Sequence, residues 1–343
     1  MQKVIDRPLQ ATRVLIHRED TRVEDKPRIH GRSEGFIHQP VMVSETLAYL
    51  AVAPGRVFVD CTVGEGGHSR AILQASMPGG QLLGIDLDPQ ALSRAYLRLQ
   101  QYGDSFTLTH GSYARLGDVA FTLGFPHPDG ILLDLGLSSL QLQTAGRGFA
   151  IQMDEPLDMR FDPAARLSAA DIVNGYPMPE LAEILARFGE EPRARSIALR
   201  IPERRPLRST RQLADLVAEV YGGRRGKTHP ATRTFQALRI AVNGELDNLK
   251  AGLDQAISIL KPGGRLVVIS YHSVEDRIVK ETIAREARGC VCPPRVPICT
   301  CGHTASLKVI TKKVVTPSLD EVRSNPRSRS ARMRVAESLQ GNN

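Results

Sequence analysis

"VFVDCTVGEGGHSR", Val57 to Arg70, is the stretch whose reading decides the fold. Val57 to Asp60 has the composition of a half-buried strand. A glycine turn follows at Gly64, Gly66 and Gly67, and a helical pattern begins near His68. In a strand–turn–helix unit, glycine lets the backbone approach a ligand closely, and the helix start offers unpaired N–H groups. A glycine turn by itself is weak evidence, so the reading has to be carried by what surrounds it.

Four more β-rich runs recur: "QLLGID" (81–86), "SFTLTH" (105–110), "GILLDL" (130–135) and "RLVVIS" (265–270). Helical patterns stand between them, such as Ser69–Ala75 and Gln90–Leu99. This alternation predicts a parallel sheet with helices on both faces. The first four strands start about 25 residues apart, which suits simple crossovers. The fifth starts some 130 residues later, too far for a structureless loop in a compact domain. The intervening stretch reads helical. Leu181, Ile184, Leu185 and Phe188 follow i, i+3, i+4, i+7, as do Leu213, Leu216, Val217 and Val220 after a Ser209–Thr210 start signal. The sequence therefore predicts a discontinuous α/β domain over 36–142 and 244–338, an all-helical insert over 143–243, and an extension over 1–35. "SLKVITKKVVTP" (306–317) and "SARMRVAES" (330–338) read as a final antiparallel pair.

Asp86 ends the second strand, 22 residues after Gly64. In doubly wound sheets an acid at this place accepts hydrogen bonds from a ribose diol. The plainer alternative, a helix start, is better filled by Asp88 and Pro89, which leaves Asp86 for a nucleoside-bearing cofactor. NAD would want G-x-G-x-x-G, and Ser69 stands where the third glycine belongs. S-adenosylmethionine would want an acid closing strand one with small residues after it, and Asp60, Thr62, Gly64 and Gly66 supply that spacing. Asp60 is expected to face the methionine ammonium; it would repel a pyrophosphate. That favours S-adenosylmethionine.

The 343-residue chain carries a formal net charge of +8 and is 41% hydrophobic. No apolar run approaches a membrane-spanning length. Residues 1–35 mix bases and acids without an apolar core, so neither a secretory nor a transit peptide fits, and a cytoplasmic protein is expected. Between Arg193 and Arg239 there are 12 Lys or Arg against Glu203, Asp215 and Glu219, a balance of +9. Two readings stand: a solvated arginine-rich surface, or a nucleic-acid face.

Several long motifs carry a resemblance: "HQPVMVSETL" (38–47), "VGEGGHSRAIL" (63–73), "GIDLDPQAL" (84–92), "GILLDLGLSSLQL" (130–142), "HPATRTFQALRIAVNGEL" (229–246), "PGGRLVVISYHSVEDRIVK" (262–280) and "NPRSRSARMRVAE" (325–337). Over roughly 36–338 the chain closely resembles the RsmH family, also called MraW. The resemblance implies a class I S-adenosylmethionine-dependent methyltransferase, a Rossmann-like sheet with a helical insert. It implies methylation of the N4 amine of one cytosine in the decoding region of small-subunit (16S) ribosomal RNA. It also implies that Gly66, Gly67, His68, Asp86, Tyr113, Asp134 and Gln141 bind the cofactor. The chain departs from the family at Leu140, where many relatives have proline, and this would loosen the loop that holds Gln141.

At the end of strand four, Asp134 has two readings, an acceptor for the protons of the target amine or a contact to the cofactor alone. In "SYHSVEDR" the S-x-x-[DE] pattern assigns Ser273 and Asp276 to a helix cap, which leaves His272 and Arg277 as RNA-site candidates. Arg224, Arg225, Lys227, Arg233 and Arg239 are candidates for phosphate, and His229 is either a contact or a turn residue. Phe235, Leu238 and Val242 are expected in the core. "CVCPPRVPICTC" places Cys290, Cys292, Cys299 and Cys301 within twelve residues. They either hold a structural zinc or are plain loop cysteines; some relatives carry the cluster and others lack it, so the chemistry does not need it. Rival functions are an NAD-dependent oxidoreductase and a non-catalytic ribosome-assembly factor.

Overall fold

The computed structural model describes residues 39–223, 228–293 and 298–339. Seven strands form one sheet in the order β3-β2-β1-β4-β5-β7-β6. They are β1 Val57–Asp60, β2 Gln81–Asp86, β3 Phe106–His110, β4 Gly130–Asp134, β5 Arg265–Ser270, β6 Leu307–Val309 and β7 Arg332–Ser338. The first five are mutually parallel, while β7 runs antiparallel between β5 and β6. This is the class I methyltransferase layout. Strand order reverses between β1 and β4, which opens a crevice above their carboxyl ends.

The strands are apolar on both faces because helices cover both. Val59, Leu83, Ile85, Ile131, Leu133, Leu266 and Val268 face one cluster. It is closed by α4 (Leu116–Thr122), α11 (Glu245–Ile259) and α12 (Ser273–Glu286). The alternate residues Phe58, Leu82, Leu132, Val267 and Ile269 face the other cluster. There the cover comes from α2 (Gly67–Ser76) and α3 (Pro89–Leu99), beside α1 (Val43–Tyr49). The period of two along each strand is thus satisfied twice over.

Between β4 and β5 lie α5 (Ser139–Gln143), α6 (Ala169–Gly175), α7 (Met178–Gly189), α8 (Ala194–Glu203), α9 (Thr210–Val220) and α10 (Thr232–Asn243). The last helix, α13, is Leu319–Ser324. Leu181, Leu185, Ile197, Ile201, Leu213, Val217, Phe235 and Leu238 build a cluster separate from the two beneath the sheet. Phe149, Leu157 and Met159 from the preceding irregular stretch complete it. Ser209 starts α9 as read from the sequence, in a capping box with Gln212. Arg147 ties this layer to the sheet: Nη1 meets Asp88 Oδ2 at 3.0 Å, and Nη2 donates to the carbonyls of Arg160 and Phe161.

Two expectations change. The stretch 306–317 yields a strand of only three residues. The amides of Ile310 and Thr311 both donate to the Val335 carbonyl, and Thr311 Oγ1 accepts from Val335 N. One residue too many faces the partner there, so the ladder breaks in the manner of a bulge and resumes only at the Val315–Met333 bridge. At α12 the cap is His272, whose Nδ1 accepts from Glu275 N. Ser273 instead donates to Glu190, and Asp276 pairs with Arg334 and Arg332, so the cap assigned to Ser273 and Asp276 does not form. Among the described residues, no helix is long and apolar enough to cross a membrane.

Candidate active site

A cavity of about 400 Å³ lies in the crevice, lined by the ends of β1, β2, β4 and β5. Each wall follows from the local chain. Gly66 caps α2 in the left-handed region, φ 77°, and a Cβ there would sit 3.2 Å from Ala95. Glycine is therefore required both by conformation and by the approach of α3. No side chain caps α2, so the amides of its first turn remain for a ligand.

His68 stands in that first turn, buried, with neither ring nitrogen hydrogen-bonded. Its Nε2 lies 3.4 Å from Asp134 Oδ2, an electrostatic contact without hydrogen-bond geometry. Burial opposes charge on this imidazole, but the carboxylates of Asp134 and Asp60 prevail and raise its pKa.

Asp86 closes β2. Its Oδ2 accepts from Gly64 N at 2.7 Å and its Oδ1 from Asp88 N at 2.9 Å. Burial pushes its pKa up to about 6, against the pull of those two amides. Asp88 caps α3 by accepting from Gln90 N, as the sequence indicated. Tyr113 follows β3 and packs on α11, where a Cβ on Gly252 would come within 2.5 Å of its ring. That glycine makes the room the ring occupies.

Asp134 ends β4. Thr62 Oγ1 accepts from its backbone N–H at 2.7 Å, which pins β4 to the turn after β1. The Tyr271 hydroxyl donates to Asp134 Oδ1 at 2.9 Å. Gln141 lines the cavity, yet its carboxamide serves the cap of α5, accepting from Ser138 N and approaching Asp88 through Nε2. That capping box, with buried Leu140 beside it, fixes the turn where a proline is absent.

Gly66, Gly67, His68, Asp86, Tyr113, Asp134 and Gln141 thus stand around one crevice, Gly66 at the capping turn and the other six in its lining. Asp60 does not join them. It is fully buried, accepting from Ser69 Oγ at 2.6 Å and from Thr62 N at 3.1 Å, so it braces the turn and does not line the crevice. Arg239 reaches the crevice but is spent on Glu245 through two hydrogen bonds of 2.8 and 2.9 Å, both side chains nearly buried. It is no surface phosphate ligand. His272, its side chain 10% exposed, caps α12 and lies 3.1 Å from Glu275, so its ring is engaged within the chain. Tyr271 and Glu275 line the cavity and were missed; both lie inside the "SYHSVEDR" motif, the one signal that was available.

The basic candidates divide. Arg277 pairs with Glu190 on the surface, and Arg233 donates to the Glu190 carbonyl. His229 is exposed and accepts from Ala231 N in the turn before α10. Arg200, Arg204 and Arg205 are engaged with Glu203, Glu219 and the carbonyls of Val173 and Tyr176. Arg195, Arg208 and Arg211 are exposed and, among the described residues, have no ion pair. Arg224, Arg225 and Lys227 lie outside the described residues.

Comparison with known proteins fits this arrangement. A family model described as the MraW methylase family matches residues 35–339. The chain is 53% identical over 304 residues to the ribosomal RNA small subunit methyltransferase H of Dehalococcoides mccartyi, covering 89% of this chain and 87% of that protein. It is likewise 53% identical over 305 residues to the protein of the same name from Thermomicrobium roseum, covering 88% and 94%. Among solved structures, an rRNA methylase from Streptococcus thermophilus aligns with a TM-score of 0.39 at 12% identity, covering 89% of this chain and all of that one.

Proposed function

The chain belongs to the MraW methylase family, and we propose that it methylates small-subunit ribosomal RNA at the N4 amine of a cytosine, with S-adenosyl-L-methionine as donor. The observation that carries this reading is the meeting of the uncapped glycine turn and a carboxylate, Asp134, held by the Tyr271 hydroxyl, in one crevice.

The residues present fit this donor. Asp86 accepts a ribose diol, and the open amides after Gly66 with the unpartnered, positively biased His68 suit a carboxylate. Tyr113 offers an apolar face for a base. When bound, the donor supplies an electrophilic methyl group. The chain's own work lies on the other side of the reaction. An exocyclic cytosine amine is a poor nucleophile because its lone pair is delocalised into the ring. Asp134, held by the Tyr271 hydroxyl and the Thr62 side chain, accepts the amine protons and favours the pyramidal nitrogen that must react. It is preorganised, so little reorganisation remains when charge develops. The target base has to leave its stack to reach this depth. The helical insert, 143–243, is the natural recognition element, with Arg195, Arg208, Arg211 and Arg233 supplying positive charge.

Asp134→Asn tests the assignment because it keeps the shape and weakens the acceptor. Single-turnover methylation at saturating donor should fall about 100-fold to 1000-fold, with a much smaller change in donor dissociation constant. Near-normal turnover at saturation would reduce Asp134 to a donor contact.

A further inference from the structure

Between α12 and β6 the chain leaves the domain and returns. Ser306 closes the excursion, donating from its N to the Glu286 carbonyl at 2.9 Å and from its Oγ to Glu286 Oε2 at 2.7 Å. Its described residues, 287–293 and 298–306, contain neither helix nor strand. They also bury no apolar core, for Val291 is 41% exposed and Ile298 74%. Described residues with neither element nor core need another source of order.

That source is visible in the sulfurs. The four Sγ atoms of Cys290, Cys292, Cys299 and Cys301 lie within 4.8 Å of one another. The close pairs are 290–299 at 3.3 Å, 299–301 at 3.5 Å, 290–301 at 3.8 Å and 292–299 at 3.9 Å. A disulfide would bring two sulfurs to about 2.05 Å, so none of these contacts is one. A tetrahedron with metal–sulfur bonds of about 2.3 Å has edges of about 3.8 Å, and the four measured separations scatter around that value. Each C-x-C pair contributes two corners.

We propose that Cys290, Cys292, Cys299 and Cys301 hold one zinc ion as four thiolates, and that the ion is structural. Four protein ligands leave no open coordination position for a water or substrate. None of the four lines the catalytic cavity. Four thiolates in a tetrahedral set, with no acid or imidazole in the convergent group among the described residues, disfavour the oxygen-preferring cations and leave zinc or iron, of which redox-inert zinc suits a purely structural role. Binding releases the thiol protons and orders the excursion, so the binding free energy becomes local folding free energy beside the short strand β6.

The test uses the full chain, reduced, stripped of metal by a chelator and handled without oxygen. Zinc titration should saturate at one equivalent per chain and remove all four thiols of the cluster from reaction with a thiol reagent. Amide exchange over 287–306 should slow on zinc addition, while exchange around the glycine turn stays the same. The C290S/C292S/C299S/C301S variant should lose the equivalent of zinc and still bind S-adenosylmethionine. Should that variant fail to fold, cobalt substitution of the native chain decides, by the charge-transfer and ligand-field bands of a tetrahedral tetrathiolate. Thiols that stay fully reactive at one equivalent of zinc, or cobalt spectra without thiolate charge transfer, would overturn the site. Purified protein that instead retains iron with the visible absorption of an iron–thiolate centre would overturn the assignment to zinc.

Discussion

The crevice and the arginine-rich insert differ in what they do with polar groups. In the crevice, strand ends and an uncapped helix leave a few polar atoms poised, with the His68 ring nitrogens not hydrogen-bonded and Asp86 held above its ordinary pKa by desolvation. Among the described residues of the positive run, Arg200, Arg204 and Arg239 pair with Glu203, Glu219 and Glu245 and Arg205 donates to backbone carbonyls, while Arg195, Arg208 and Arg211 are exposed without an ion pair. A charge run along the sequence therefore does not tell which of its members face solvent unpaired, whereas a single acid at the end of a strand has its place dictated by the fold.

The largest expected effect comes from a nearly buried pair that links the insert to the crevice, Arg239 with Glu245. Arg239→Met should leave the Glu245 carboxyl buried without its partner. Urea unfolding at neutral pH should show a loss of about 3–5 kcal/mol, and adding Glu245→Gln should recover part of it. A loss under about 1 kcal/mol would mean that the pair is effectively solvated.

Next in size is Asp86, the acid proposed to hold the ribose. Asp86→Ala should weaken S-adenosylmethionine by about 1.5–3 kcal/mol in calorimetric titration of folded protein. The pH dependence has a defined sign. Ribose hydroxyls donate to the ionised carboxylate, so protonation near its raised pKa of about 6 opposes binding. Affinity in the native protein should fall about tenfold between pH 7 and pH 5 and level off above pH 7, while Asp86→Asn should flatten that profile. A native profile with no change across this range would remove Asp86 from the donor site.

A smaller effect is expected in the insert. Replacing exposed Arg195, Arg208 and Arg211 with Ala should lower the slope of log affinity for RNA against log salt by about 2, with donor affinity unchanged. An unaltered slope would make these residues a solvated surface only. The same substitution of Arg224, Arg225 and Lys227 measures what that neighbouring segment adds.

The smallest effect is Arg204→Ala. Its partner Glu219 is exposed, so thermal unfolding should register less than about 1 kcal/mol. Set beside Arg239→Met, it isolates burial as the difference between two arginine–glutamate pairs in adjoining parts of the chain.

The sheet was legible because its strands are short, apolar and evenly spaced, and the helical excursion because the spacing then broke. The places of Asp86, Asp134 and the glycine turn around the crevice were legible because the fold itself sets positions at strand ends and at the first turn. Asp60 was misread although a signal existed: it shares parity with Phe58, so it faces the α2 layer and Ser69 rather than the crevice. Arg239 and Glu245 are six residues apart across a helix break, a separation that no intrahelical pairing rule covers. Tyr271 meets Asp134 across 137 residues of sequence, a contact only the paired strands β4 and β5 create. His272 took the capping place from Ser273 because its Nδ1 accepts as a hydroxyl would, and composition rules favour the hydroxyl.

The account's central claim is tested most directly by incubating small ribosomal subunits lacking the modification with the native protein and methyl-labelled S-adenosylmethionine, then digesting the RNA and mapping the labelled nucleoside. The account predicts label in a single cytidine, on its exocyclic N4. Label on a ring carbon or a ribose hydroxyl, or no transfer to RNA by a protein that binds the donor, would contradict it.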